Sequence, residues 1–148
     1  MLPQRKELPH EPPAWVEGGA VYFITICAGP RGVNTLARPD VAPWILETLV
    51  FREARGDWSV RLALVMPDHI HLLMSFPRDP GLAQTLGQWK RYVARAKLVQ
   101  WQQGFFEHRL RKEESLIEKA AYIRENPVRA GLCARWEEWP YVMSKGLW

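Results

Sequence analysis

Apolar residues along the chain keep two different rhythms, and the places where the rhythm changes mark its elements. "AVYFITICA" (Ala20 to Ala28) is dense in β-branched and aromatic residues and reads as a strand. The glycines and prolines of "GPRGVNTLARP" make the next segment a loop. Asp40 is placed to cap a helix carrying Trp44, Leu46, Leu49 and Val50 as far as about Arg55, where Gly56 stops it. "WSVRLALVMP" (Trp58 to Pro67) predicts a second strand, Pro67-Asp68 a tight connection, and His69 to Phe76 a third strand.

Beyond the turn "PRDPG" the period lengthens. Leu82, Leu86, Trp89, Val93 and Ala96 share one stripe of a helix running from Leu82 to about Gln102. Arg91 and Arg95 flank that stripe on one side, and Lys90 and Lys97 on the other. "GFFEHRLR" (Gly104 to Arg111) alternates as a fourth strand, and a last helix starts near Glu114 and ends before Pro127. The order strand, helix, strand, strand, helix, strand, helix predicts an α+β fold. It is a ferredoxin-like split βαβ sandwich with an antiparallel sheet and an added C-terminal helix.

A chain of 148 residues, 47% hydrophobic and 24% charged, suits one folded domain over residues 20–148. The proline-rich residues 1–19 read as a flexible or docking arm. No apolar run reaches the length of a membrane span, and the start lacks a signal peptide's apolar segment, so a cytoplasmic protein is expected. Cys27 and Cys133 form no CxxC pair; they read as buried apolar fillers rather than zinc ligands. There is also no GxxxxGK[ST] phosphate loop.

The net charge of +4 is modest but unevenly spread. "KRYVARAKLVQWQQGFFEHRLRK" (Lys90 to Lys112) holds seven Lys or Arg against one Glu. Trp89, Tyr92, Trp101, Phe105 and Phe106 sit among those charges. Basic groups interleaved with aromatics suit the phosphates and bases of single-stranded nucleic acid. A solvated helix whose aromatics belong to the core explains the same block.

"VMPDHIHLLMSF" (Val65 to Phe76) sets His69 and His71 on one side of a strand, because residues two apart share a face. Two adjacent imidazoles supply half of a divalent-metal site. They can equally be structural, each with its own hydrogen-bond partner. A third group would decide, and "ESLIEKAAYIRENPVRAGL" offers one. Leu116, Ala120 and Ile123 form that helix's apolar stripe, widened by Ile117 and Ala121. Tyr122 and Asn126 fall together on the other side, with Lys119 beside them. Arg124 sits at the stripe's edge.

A tyrosine off the stripe is either a surface residue or a nucleophile. A phenol can attack a phosphodiester and hold a covalent phosphotyrosine, dividing one hard step into two. Its ordinary pKa of about 10 means that attack needs nearby positive charge, which Lys119 can supply. Asn126 can offer a carbonyl oxygen to a metal held by His69 and His71. Tyr22, Tyr92 and Tyr141 are weaker nucleophile candidates, and His108 suits DNA contact, proton transfer or a structural role.

"MPDHIHLL", "FFEHRLRKEESL", "YIRENPVRAGL" and "WPYV", in this order, resemble the single-tyrosine HUH transposases of bacterial insertion sequences. The likeness is closest to their REP-associated tyrosine transposase branch and runs from Val21 to Val142. The resemblance implies a Mg²⁺ or Mn²⁺ cofactor and cleavage and rejoining of single-stranded DNA through a 5′-phosphotyrosine. Tyr122 is then the nucleophile, and His69 and His71 are the HUH histidines. Asn126 takes the third metal position, where mobile-element members usually carry glutamine. The implied substrates are short hairpin-forming repeats, and the charge pattern makes Lys90, Arg91, Arg95, Lys97, Arg109, Arg111 and Lys119 the residues expected to bind them. A nucleoid-associated monomer is favoured, with a homodimer as the other arrangement. Two further classes stay open: a hairpin-binding module with a vestigial site, and a metal-dependent phosphodiesterase using activated water.

Overall fold

A computed structural model describes residues 6–7, 19–111 and 114–145. Its strands are β1 (Lys6–Glu7), β2 (Tyr22–Gly29), β3 (Ser59–Val65), β4 (His69–Ser75), β5 (Gln100–Trp101), β6 (Phe106–Arg109) and β7 (Val142–Ser144). Its helices are α1 (Ala42–Ala54), α2 (Leu82–Lys97), α3 (Leu116–Arg124) and the short α4 (Asn126–Arg129), with a 3₁₀ turn at Trp136–Glu138.

The strands form one sheet in the order β1-β7-β3-β4-β2-β5, with β6 also pairing β2. Strand β4 lies between β2 and β3 and is antiparallel to both, so α1 connects two parallel strands across an inserted third. This is the split βαβ arrangement the element order predicts. β7 extends the sheet beyond β3, and β1 pairs parallel with β7 at the edge. The "WPYV" segment anchors that extension: the Trp139 indole donates to Val65 O at 3.0 Å, and Tyr141 O accepts from Val65 N at 2.9 Å.

Alternation along β2 decides what each face does. Ile24, Ile26 and Ala28 are fully buried under α1 and α2, together with Ile70, Leu72 and Met74 of β4. Each such aliphatic side chain contributes about 1.5–3 kcal/mol relative to exposure. Trp58 and Trp89, also fully buried here, satisfy their indole donors on Leu49 O at 3.1 Å and Thr48 Oγ1 at 2.9 Å. On the opposite face, Ala120 and Ile123 of α3 pack on Leu62, Leu64, Leu73 and Val142, with Phe23 and Leu116 at the margin.

Several boundaries differ from the sequence reading. Asp40 does not cap α1; the N-cap is Val41, and Asp40 pairs with Arg38 at 3.4 Å. α2 ends at Lys97 because Leu98 turns left-handed (φ 56°), so its buried stripe stops at Val93 and Ala96 is exposed. The predicted fourth strand is shorter, Phe106–Arg109, and is preceded by the separate β5. Ile117 is exposed rather than part of the stripe. Cys27 and Cys133 are free and half-buried, not buried. The arm expected over residues 1–19 lies outside the described residues apart from 6–7 and 19. No helix among the described residues is long and apolar enough to cross a membrane.

Candidate active site

His69 and His71 project from β4 onto the α3 side of the sheet, beside Cys27 and Thr25 of β2. Their ring centroids lie 4.7 Å apart, edge to face. Each Nδ1 has a partner. That of His69 is 2.8 Å from Asp68 Oδ1, and that of His71 is 3.0 Å from Thr25 Oγ1. A carboxylate only accepts, so the His69 Nδ1 carries a proton and donates, and it is the Nε2 that is left to meet a ligand. A hydroxyl accepts as well, so Thr25 can hold His71 in the same tautomer.

Asp68 is fixed in turn. Its Oδ2 accepts from Gly32 N at 2.8 Å and lies 3.4 Å from Arg31 Nε. Gly32 adopts a positive φ of 82° to aim that amide, a conformation that side chains disfavour. Partial burial opposes the charge, but the Gly32 amide, His69 and Arg31 outweigh it and hold the carboxyl below its usual range. The sequence reading treated Asp68 only as a turn residue, although its place directly before the first histidine was the available signal. Burial, followed by the neighbouring His69 and Arg129, lowers His71 to about 3, so its imidazole is neutral near neutrality. A neutral imidazole with its Nδ1 occupied is the form that ligates a metal.

α3 brings the phenol to this face. Ser115 caps it, its hydroxyl accepting from Glu118 N at 3.1 Å. Tyr122 projects away from the buried Ala120 and Ile123 and is 59% exposed, as its position off the stripe required. A cleft of about 350 Å³ beside it is lined by Glu114, Ser115, Glu118, Lys119 and Tyr122. Among the larger clefts lined by described residues, one lies between α1 and α2 and one at the start of β2, neither of them lined by the histidines.

Arg129 brings a cation to the phenol ring. Its guanidinium stacks 4.2 Å from the Tyr122 ring and donates through Nη2 to Tyr122 O at 2.7 Å. The same charge is felt at His71. Lys119 is instead turned toward Glu114 Oε2 at 3.9 Å and lies 5.6 Å from the Phe23 ring, which meets His71 edge-on at 5.5 Å. Asn126 opens α4 and donates Nδ2 to Ile123 O at 3.0 Å, so only its Oδ1 is available to a ligand. Arg124, unexplained in the sequence, covers the Trp136 ring at 4.5 Å. His108 accompanies Phe23 on this face and is held by Glu114 at 2.9 Å; Glu114 also accepts from Arg111 N at 2.9 Å.

The basic block does not converge on the histidines. Lys90, Arg91, Arg95 and Lys97 stand on α2, across the sheet. Lys90 is committed to Gln102 O at 3.2 Å and Gly104 O at 2.7 Å, and Lys97 lies 5.2 Å from the Trp44 ring. Arg109 faces Tyr22, Arg78 and Leu82 in the cleft at the start of β2, and Arg111 is exposed near α3. Among the described residues no three His, Cys, Asp or Glu side chains cluster to hold a metal. Two neighbouring strand imidazoles with both Nδ1 atoms engaged nevertheless suit the nitrogen half of a divalent-metal site.

The fold and site therefore define a class: a split βαβ sheet with paired strand imidazoles and a tyrosine helix on one face. No protein-family model matches the chain. It is 32% identical over 146 residues to a Haemophilus influenzae protein described as "Putative REP-associated tyrosine transposase", covering 83% of this chain and 78% of the relative. It is 27% identical over 87 residues to the "REP-associated tyrosine transposase" of Escherichia coli K12, covering 57% of this chain and 53% of the relative. A solved REP-associated tyrosine transposase bound to a REP hairpin has the same fold, with TM-score 0.71 and 20% identity over 96% of this chain and 82% of that one. The chain belongs to the REP-associated tyrosine transposase family.

Proposed function

We propose that the protein cleaves and rejoins single-stranded DNA beside hairpin-forming repeats, through a covalent 5′-phosphotyrosine on Tyr122. The observation that carries this reading is Arg129, whose guanidinium lies 4.2 Å from the Tyr122 ring and electrostatically within range of His71. It is the cation at the exposed phenol, and in this reading it takes the charge-supplying role that sequence alone gave to Lys119. A relative's hairpin complex supports DNA hairpins as the ligand class.

In the forward step the Tyr122 oxygen bonds to phosphorus, the bond from phosphorus to the 3′-oxygen breaks, and that oxygen leaves as a hydroxyl. The phenolic proton goes to solvent, and the leaving oxygen takes one up. In the reverse step a 3′-hydroxyl attacks the phosphotyrosine and releases the phenol. The O–P bond energy is kept throughout, so no nucleotide cofactor is needed. Arg129 offers its guanidinium to the phenolate and to the anionic phosphate. Asp68 and Thr25 engage both Nδ1 atoms, which leaves the Nε2 atoms for a ligand. His69, His71 and the Asn126 Oδ1 would hold Mg²⁺ or Mn²⁺, which when bound supplies Lewis-acid charge at the phosphate.

The test is a labelled single-stranded hairpin incubated with the protein and Mn²⁺, then run on a denaturing gel. A protein–DNA adduct that disappears in Tyr122→Phe and with chelator is the expected result. Cleavage that survives Tyr122→Phe identifies a hydrolase using water. DNA that is retarded on a native gel yet never cut identifies a binding module.

A further inference from the structure

We propose that Phe106 is a base-stacking platform whose ring holds a nucleobase adjoining the cleaved phosphodiester. The inference rests on the strand-transfer reading and adds a subsite to it. Five aromatics accompany the basic block, and the structure separates them. Trp89 is fully buried, and Trp101 and Phe105 pack half-buried against the same core. Tyr92 stacks on Trp44 at 5.6 Å on the α1–α2 side. Phe106 alone stands on the histidine face, and it is 74% exposed.

Register fixes where the ring is. Thr25 of β2 pairs with His71 on one side and with Phe106 on the other. Directly opposed residues of antiparallel strands share a face, so ring and imidazole stand on one surface, a single strand apart. Two interstrand spacings make that about 10 Å between their Cα atoms. A phosphate held at the imidazoles would leave a neighbouring base within reach of the ring.

The platform is also rigid. β6 is laddered onto β2, and Lys90 ties the preceding loop from behind through Gln102 O and Gly104 O. A ring already in place loses little freedom when a base stacks on it. Phenylalanine has no polar group to hydrate, and an apolar ring exposed on an edge strand invites a partner. Arg129 beside Tyr122 gives this face a cation that suits an anionic partner, with Lys119 engaged by Glu114. A polyphosphate with π-faced bases meets both conditions, whichever base is present.

The test places 2-aminopurine at successive positions on either side of the cleavage point in a hairpin oligonucleotide. Quenching on binding at one position is expected, with Phe106→Ala abolishing it and raising KM for adduct formation about tenfold while kcat holds. Phe106→Trp should restore both. Unchanged quenching and KM in Phe106→Ala, with adduct formed normally, overturns the platform. So does a Phe106→Ala change in sedimentation, which would make the ring a contact between two copies. Quenching without any adduct keeps the platform and sinks the strand-transfer reading instead.

Discussion

Alternate residues of the same two strands live in different worlds. Ile24, Ile26, Ile70 and Leu72 point toward α1 and α2 and have no exposed surface. Thr25, Cys27, His69 and His71, interleaved with them, point toward α3 and stay half-buried. The difference comes from coverage: two long helices close one face, while on the other the short α3 packs mainly on β3, β7 and Leu73 and leaves Thr25, Cys27, His69 and His71 partly open. The uncovered shelf holds the imidazoles, the exposed Phe106 and the cation–phenol pair. A rigid, fully packed face behind it lets these groups stand open without being loose.

The sharpest way to break the comparison is to truncate one large residue on each face. Trp89→Ala should lower unfolding free energy by about 3–5 kcal/mol, through lost transfer energy and the cavity left in a closed core. Phe106→Ala, of similar bulk, should change it by less than about 0.5 kcal/mol, because its ring has no enclosed site to vacate. Urea titrations of the two variants decide this. Equal losses would mean that the shelf is part of the core and not a working surface.

Acid offers a smaller and more selective probe. His71 is held neutral in the folded, metal-free protein, lowered to about 3 from the ordinary 6.5 by burial, then His69, then Arg129. Between those values the unfolded chain binds a proton that the native state refuses. Stability from this group is therefore complete above pH 6.5 and is lost as pH falls toward 3. One such group changes stability by at most about 1.4 kcal/mol per pH unit. Denaturation midpoints in chelator should fall between pH 6.5 and 4, and His71→Gln should flatten that slope. An unchanged slope would show that burial does not hold this imidazole neutral.

The comparison also separates what could be read along the chain from what could not. Strand alternation gave the shared face of His69 and His71, and helical spacing put Tyr122 away from the stripe. Both are local periodicities that tertiary packing preserved. Arg129 was passed over because the sequence reading ended the helix before Pro127, whereas the chain runs on through the helical Glu125 into α4 and brings Arg129 to the face of Tyr122. Lys119 has the better spacing on an ideal helix but is drawn to Glu114, which His108 of β6 and the Arg111 amide also engage. The placement of the basic block was not legible either, because charge density in sequence says nothing of which sheet face a helix covers. Leu98 ended α2 early in a conformation that no leucine advertises.

The smallest expected effect concerns how α3 is held on the open side. Ser115 accepts from Glu118 N at 3.1 Å, satisfying a donor that helix geometry leaves free. Ser115→Ala should cost about 1 kcal/mol, the usual loss for an N-cap. The helix is nine residues long and buries only Ala120 and Ile123, so the loss should be spent on local opening rather than on the whole fold. Amide exchange should therefore quicken across Lys119 to Ile123 while the core amides of β3 and β4 keep their protection. If both regions quicken together, α3 unfolds only with the sheet, and the two faces form one cooperative unit in spite of their unequal packing.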